Sequence, residues 1–334
     1  MLVFALDWRW WVGSTMWSFV FETGAAAFGA CVGSFLNVVI HRLPQDDPRA
    51  RSLGGRSRCP QCGAQIAWRD NVPVFGWLLL RGRARCCGKA ISLRYPLVEA
   101  LTAALFVALA VKQPHGPVTV AGAIDWTAAL SFGFDAAFIA FLVACTFIDW
   151  DHRILPDALT IPFMIVGCTV VALAAPGHAG SIATDLSPAM DSLLAALLGL
   201  GAGYGLTLAI RVGARAVFKK EAMGLGDVKF MGAIGAFLGW DGALLTFFLG
   251  CVVGAVGGMA HRVVTKDAYV PFGPFLAIGA LITLFFKSNV VTLLFETWPR
   301  WQRSSPMAMP LMLGAALLCV LALFLLVRRG RANG

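Results

Sequence analysis

The sequence predicts an all-α polytopic membrane protein with about eight or nine transmembrane helices and a cysteine-rich cytoplasmic loop. Three observations predict it. Of 334 residues, 58% are hydrophobic and only 13% charged, an apolar excess and a charge deficit foreign to soluble domains. The apolar runs are long and unbroken, as spanning helices require, rather than short and alternating as in a membrane barrel. The basic residues behind the formal net charge of +9 cluster in loops between those runs. Orientation in a bilayer explains that placement better than a nucleic-acid-binding face does, so the expected surroundings are lipid and no nucleic-acid partner is expected.

The first span covers about residues 18–40. Asp7, Arg9 and four tryptophans (Trp8, Trp10, Trp11, Trp17) precede it; they read as an interfacial belt rather than as a cleaved signal. Its end, Gly33-Ser34-Phe35-Leu36-Asn37, mixes small and polar residues that allow close helix approach and a hydrogen bond across helices. Residues 41–95 form a polar loop with eleven basic residues against Asp46, Asp47 and Asp70. The positive-inside rule keeps this loop cytoplasmic and the N-terminus on the periplasmic side.

Further spans are expected near residues 97–112, 132–148, 158–175 and 193–210. A short run, 230–240, reads as a tilted or broken helix, followed by spans at 244–259, from Pro271 to near Phe286, and at 306–327. External loops fall at residues 113–125 and 177–191. On this count every basic loop lies on one side, and so do two acidic clusters. One is Asp149-Trp150-Asp151 with Asp157; the other is Gly224-Leu225-Gly226-Asp227-Val228-Lys229.

Of nine cysteines, Cys31, Cys145, Cys168, Cys251 and Cys319 lie in apolar runs and read as small packing residues. The others, Cys59, Cys62, Cys86 and Cys87, share the cytoplasmic loop. A Cys-x-x-Cys knuckle with a second cysteine pair is the ligand set of a structural zinc site, and the metal would fold a loop with too little apolar core of its own. Redox or unmetallated thiols are the alternative. Adjacent cysteines can both reach one metal only with an unusual backbone.

A carboxylate at a membrane boundary is costly to desolvate, so a functional role is the default expectation. Two such carboxylates brought together share a proton: their repulsion raises one pKa, and the ionised partner activates water. Asp149 and Asp227 are the expected catalytic pair, supported by Gly224, Gly226, Lys229, Asp151 and Asp157. Gly224, Gly226, Gly232 and Gly235 would let backbones approach closely around Asp227. Asp151 and Asp157 are expected in solvent, as helix caps or positioning substrate. Carboxylates carrying cations or protons, as in a transporter, would be expected at mid-membrane depth; here they lie at span ends. A purely structural membrane component leaves the paired motifs without a role.

Taken together, these motifs resemble the bacterial prepilin peptidases, the type IV leader peptidases of the Gly-x-Gly-Asp group of membrane aspartic proteases. The matching stretches include Gly33 to Val38, the Cys59/Cys62 knuckle, Asp70-Asn71-Val72-Pro73 and Gly76-Trp77-Leu78. They continue through Arg81-Gly82-Arg83, Ile91 to Glu99, Asp149 to Asp157, Gly224 to Lys229 and Pro271-Phe272-Gly273-Pro274. The resemblance implies that Asp149 and Asp227 cut the basic leaders of type IV prepilins and type II secretion pseudopilins after a terminal glycine, at the cytoplasmic face of the inner membrane. It implies N-methylation of the new N-terminus, usually phenylalanine, from S-adenosylmethionine, with a protease lacking that second activity as the alternative. Glu99 and the Gly33–Asn37 segment are candidates there, packing being the simpler role for each. The expected division is 1–112 (linked to methylation), 113–290 (protease) and 291–334 (an extra span). One departure stands out: Ala84 occupies the place where the second pair's first cysteine belongs, and Cys86 sits out of register.

Overall fold

The computed structural model describes residues 4–47, 50–113, 125–173, 187–219, 223–265 and 270–304, with residues 307 and 310; side chains are described from Met16 onward. Among these residues the chain is helical, with two isolated antiparallel bridges as its only β pairing. The helices are α1 (Phe4–Arg42), α2 (Phe75–Leu79), α3 (Arg94–Lys112), α4 (Trp126–His152), α5 (Asp157–Leu173), α6 (Pro188–Phe218), α7 (Leu225–Thr265), α8 (Gly273–Thr292) and α9 (Trp298–Ser304). A 3-10 turn at Trp68–Asp70 precedes α2, and a π turn at Leu293–Thr297 joins α8 to α9.

Among the described residues six helices are long and apolar enough to cross a membrane (α1, α3, α4, α6, α7 and the run from α8 through α9), and α5 is a shorter apolar helix. At 41 residues, α7 is about twice what a bilayer core needs. It holds a break at Gly239, whose φ of 75° and ψ of 176° only glycine adopts readily. This is the break expected between the runs 230–240 and 244–259, so α7 accounts for two of the expected elements. The last expected span, 306–327, lies outside the described residues except for 307 and 310. So do the side chains of Trp8, Trp10 and Trp11, most of the two external loops, and the basic side chains of Lys220, His261, Arg262 and Lys266. The third span begins earlier than the apolar run alone indicates. Asp125 caps α4 by accepting from the N–H groups of Thr127 (3.0 Å) and Ala128 (3.2 Å), and an aspartate in that place starts a helix.

The described helices fall into two compact units, 1–244 and 245–334. In the first, α1 packs along α3. A Cβ on Gly33 would stand 2.7 Å from the Cα of Glu99, and one on Gly29 would stand 2.9 Å from the Cα of Ala103. The Gly-x-x-x-Gly spacing therefore sets a backbone-to-backbone contact, the usual solution where lipid removes the hydrophobic drive for helix pairing. Asn37 Nδ2 donates to the Tyr95 carbonyl at 3.1 Å, the cross-helix bond its position leads one to expect. The α6–α7 contact is closer still: a Cβ on Gly235 would meet the Gly199 carbonyl oxygen at 2.0 Å. An aromatic stack fills the space between α4, α5 and α7. Phe237 lies on Phe134 (4.4 Å between ring centres) and Phe138 (4.7 Å), and Phe141 on Phe163 (4.2 Å).

In the second unit, Gly279 of α8 meets the backbone of Thr246 and Gly250, and the hydroxyls of Thr246 and Thr283 hydrogen-bond at 3.1 Å. Phe247 and Phe272 meet edge to face with 6.3 Å between ring centres, so this unit combines small residues, aromatic rings and a buried polar pair.

Candidate functional site

The aromatic stack fixes how α4 and α7 face each other. Phe237 meets Phe134 and Phe138, while Phe230, two turns earlier in α7, meets Phe141. The helices therefore run antiparallel, and going back under a turn from Phe230 to Asp227 and on about two turns from Phe141 to Asp149 leads to the same end of the pair. Two further contacts fix that end. Gly226 lies against Leu155 in the α4–α5 turn, where an added Cβ would sit 3.0 Å from Leu155 Cβ. Lys229 Nζ donates to both oxygens of Asp157, at 2.6 and 2.8 Å. The turn itself is tight. Arg153 ends α4 in the left-handed conformation and donates its N–H to the Asp149 carbonyl at 2.9 Å.

Asp149 is buried, at 6% exposure. Asp227 is half-buried and begins α7: the Gly224 N–H donates to Asp227 Oδ2 at 3.2 Å. That is one half of a capping box, a carboxylate in the first turn reaching back to the cap residue's N–H. Asp227 thus starts a helix, and the break in that helix comes twelve residues later, at Gly239. Asp151 and Asp157 are exposed, as expected, yet each is held in an ion pair. Asp151 pairs with Arg94 of α3, and Asp157 with Lys229. The Arg94 guanidinium also lies over the Phe147 ring, 5.6 Å from its centre. Arg94 therefore grips α4 on both sides of Asp149. In the sequence Arg94 is one basic residue of a basic loop, and no signal there separates it from its neighbours.

The cysteine loop is two copies of one backbone motif. In the first, Cys59 N–H donates to Ala64 O (2.8 Å), Gly63 N–H to Cys59 O (2.9 Å) and Ile66 N–H to Ser57 O (2.9 Å). In the second, Ala84 N–H donates to Lys89 O (2.8 Å), Gly88 N–H to Ala84 O (2.7 Å) and Ile91 N–H to Gly82 O (2.7 Å). The bridges Arg58–Gln65 and Arg83–Ala90 close the two turns, and Gly63 and Gly88 take matching positive φ of 71° and 69°. Ala84 thus corresponds to Cys59, and Cys87 to Cys62. Cys86 occupies the position that Gln61 holds in the first knuckle, so the register shift read from the sequence is a real substitution in an intact turn.

Even so, the four sulfurs converge. Cys59 Sγ lies 3.8 Å from Cys87 Sγ, Cys62 Sγ lies 3.4 Å from Cys86 Sγ, and all four lie within 4.8 Å of one another. Tetrahedral zinc with Zn–S bonds of about 2.3 Å needs sulfurs about 3.8 Å apart. The cluster can hold a metal, and its spacing and ligand type fit zinc. The backbone N–H of Gln61, aided by that of Cys62, draws the Cys59 thiol down to about 7, whereas the hydrogen bond with Cys62 pushes Cys86 up to about 12. Arg85 braces the second knuckle by a bidentate pair with Asp70 (3.0–3.1 Å), which in turn holds the Arg85 guanidinium's pKa up.

Six helices among the described residues long and apolar enough to span, with a thiol cluster between the first two, define a multi-pass membrane protein. The Bacterial Peptidase A24 N-terminal domain matches residues 27–113, and the Type IV leader peptidase family matches residues 136–259. Three relatives, each named a prepilin leader peptidase/N-methyltransferase, are similar along most of the chain. That of Aeromonas salmonicida (strain A449) is 34% identical, covering 79% of this chain and 90% of the relative. That of Klebsiella pneumoniae is 37% identical (70% and 89%), and that of Myxococcus xanthus (strain DK1622) 39% identical (72% and 63%). No solved structure gives a significant match. The chain belongs to the type IV leader peptidase family.

Proposed function

We propose that this chain is a bifunctional enzyme of the bacterial inner membrane. It cleaves the short basic leader of type IV prepilins and type II secretion pseudopilins after the leader's terminal glycine, then N-methylates the exposed residue from S-adenosylmethionine. The family match and the names of the relatives support both activities and disfavour the transporter reading. Asp149 and Asp227 are the catalytic carboxylates. The observation that carries this is their placement at one end of the antiparallel α4–α7 pair, locked by Lys229–Asp157 and Gly226–Leu155.

In this reading the buried and the half-buried carboxylate differ in environment. One holds a proton while the other takes a proton from the attacking water. The attack forms a bond from water oxygen to the scissile carbonyl carbon. The C–N bond then breaks, with a proton delivered to the leaving amine. Gly224 positions Asp227, and Lys229 with Asp157 and Arg94 with Asp151 hold the helix ends in place. The four cysteines carry a structural zinc, whose part is to tie the two knuckles together. The active end faces the cytoplasm, the basic loop 41–95 lying on that side. Residues 1–112 serve methylation, residues 113–290 cleavage, and 291–334 add a further span. Incubating the purified chain with a prepilin and methyl donor tests the whole reading. Mass spectrometry should show the shortened pilin plus one methyl group at its N-terminus; an intact leader would refute it.

A further inference from the structure

We propose that the cavity between the two knuckles, the end of α1 and the start of α3 is where this chain binds S-adenosylmethionine; the proposal rests on the methylation reading above. The cavity measures about 800 Å³, within the roughly 300–1,000 Å³ of small-molecule sites. Asn37, His41, Arg58, Trp77, Tyr95 and Glu99 are among its walls, and it shares none of them with the Asp149–Asp227 end.

The walls are held still before any ligand arrives. Asn37 fastens α1 to Tyr95, and Trp77 Nε1 donates to the Ile91 carbonyl at 3.1 Å. Glu99 is the most constrained. Its Oε2 accepts from the Val74 N–H at 2.7 Å, and the side chain is buried. Val74 reaches that carboxylate only by taking φ 61° and ψ −53°, a conformation that β-branched residues avoid. Backbone strain of this kind collects where a side chain has to be held in one place for a ligand.

The mixture of groups selects among ligand classes. A lipid chain has no use for charged groups set in the wall, whereas acidic Asp70 and Glu99 together with basic Arg42, Arg58 and Arg85 suit a ligand that carries charges of both signs. S-adenosylmethionine has a flat adenine, a ribose diol, a sulfonium cation and an amino-acid end bearing both charges. Trp77 and Tyr95 offer rings for the flat and cationic parts. Glu99 offers an acceptor for the diol or the cation, and Arg58 a partner for the ligand's carboxylate.

Position supplies the second argument. Ser92 and Tyr95 line the cavity, and Arg94 between them binds Asp151 and covers Phe147, residues on either side of Asp149. Arg94 thus ties the helix that walls the cavity to the segment of α4 that carries Asp149, and on this proposal the amine freed by cleavage passes from one to the other. The bound donor supplies a methyl carbon: the amine nitrogen's lone pair forms the new N–C bond, the C–S electron pair passes to sulfur, and the amine's proton leaves to water.

The test uses the full chain in detergent. Equilibrium dialysis with methyl-tritiated S-adenosylmethionine gives the affinity, and ultraviolet cross-linking of the same ligand followed by peptide mass spectrometry gives the place. The unmodified chain should carry the label between residues 34 and 99, and Glu99→Gln and Tyr95→Ala should each weaken binding about tenfold or more. A label elsewhere, or undiminished binding in both variants, overturns the cavity. Because cross-linking uses the unmodified chain, it stands even if a variant misfolds. If the unmodified chain neither binds the donor nor methylates pilin, the methylation reading itself falls; if it does both with the label outside the cavity, only this proposal does.

Discussion

The shifted knuckle makes a prediction that depends on the backbone rather than on the cysteine count. Structural zinc in small thiolate sites is bound with an apparent ~10–16 kcal/mol at neutral pH, so one of four thiolates contributes roughly 2.5–4 kcal/mol, or about 100- to 1,000-fold in affinity. Cys86→Ala should weaken zinc by that factor. Ala84 holds the backbone place of Cys59, with matching hydrogen bonds to Lys89 and from Gly88. Adding Ala84→Cys to Cys86→Ala should therefore restore affinity to within about tenfold of the original. The present sulfurs, from 3.4 Å to at most 4.8 Å apart, need to move by about 1 Å at most to reach the spacing of a tetrahedral zinc site. The assay is competition with a coloured chelator on the purified full chain, alongside metal analysis, which should give about one zinc per chain. Wild-type affinity in Cys86→Ala would show that Cys86 is no ligand. A double variant as weak as the single one would refute the equivalence of the two turns.

Four further outcomes follow. Zinc affinity should fall on acidification and more steeply below about 7: over the whole range the metal displaces the proton of Cys86, and below about 7 it must displace that of Cys59 as well; titrating the chelator competition from about pH 8 to about pH 6 checks this. Asp149→Ala and Asp227→Ala should each abolish prepilin cleavage, read as a gel shift, while the protein still inserts in the membrane; normal cleavage by either removes the proposed pair. Asp157→Lys or Lys229→Asp alone should slow cleavage a few-fold, because a partly exposed ion pair is worth about 1 kcal/mol and reversal adds repulsion; the double swap should recover most of the rate, and failure to do so would assign the loss to something other than the pair. Stripping the metal should lower methylation and S-adenosylmethionine binding more than cleavage, because the knuckles roof the cavity whereas α4 and α7 form the Asp149–Asp227 end; equal losses in paired assays would contradict that division.

Much of this site was legible in the chain because its parts are chemically rare. A carboxylate beside glycines at the edge of an apolar run is costly to keep there without a task, and four cysteines in one basic loop point to a shared metal. The extent of the helices was less legible. The apolar run in α4 begins near Phe132, but the helix starts at Trp126 because Asp125 caps it, a local hydrogen bond that hydropathy does not register. Likewise, the run ending at Trp240 is too short to span alone. Gly239 shows why: the turn that ends it is made by one glycine conformation inside an otherwise continuous apolar stretch. Least legible were the partners of Asp151 and Asp157. Both read as solvent-exposed or capping residues, and both are in fact paired, to side chains 57 and 72 positions away. Pairings at that distance depend on which helix ends meet, and hydropathy carries no signal of that.

Those two ion pairs also explain how a membrane protein keeps its polar chemistry in one place. Within the lipid the helices touch through glycines and aromatic rings, at Gly33 with Glu99, Gly199 with Gly235, and Phe237 with Phe134. Such contacts fix distance between helices but tolerate sliding along them, since one apolar turn packs much like the next. The charged pairs do not tolerate it. A shift of one turn, about 5.4 Å, would separate Lys229 from Asp157 and Arg94 from Asp151 beyond any ion pair. Each pair is weak on its own, but each acts as a register pin at the end of a well-packed helix contact. Arg94 pins α3, which carries Glu99 and Tyr95 of the cavity, to α4, which carries Asp149. Lys229 pins α7, which carries Asp227, to the start of α5. Four helices are thereby held in register at the end where Asp149 and Asp227 lie, and the residues that do it are charged because only charge distinguishes one turn from the next at that boundary.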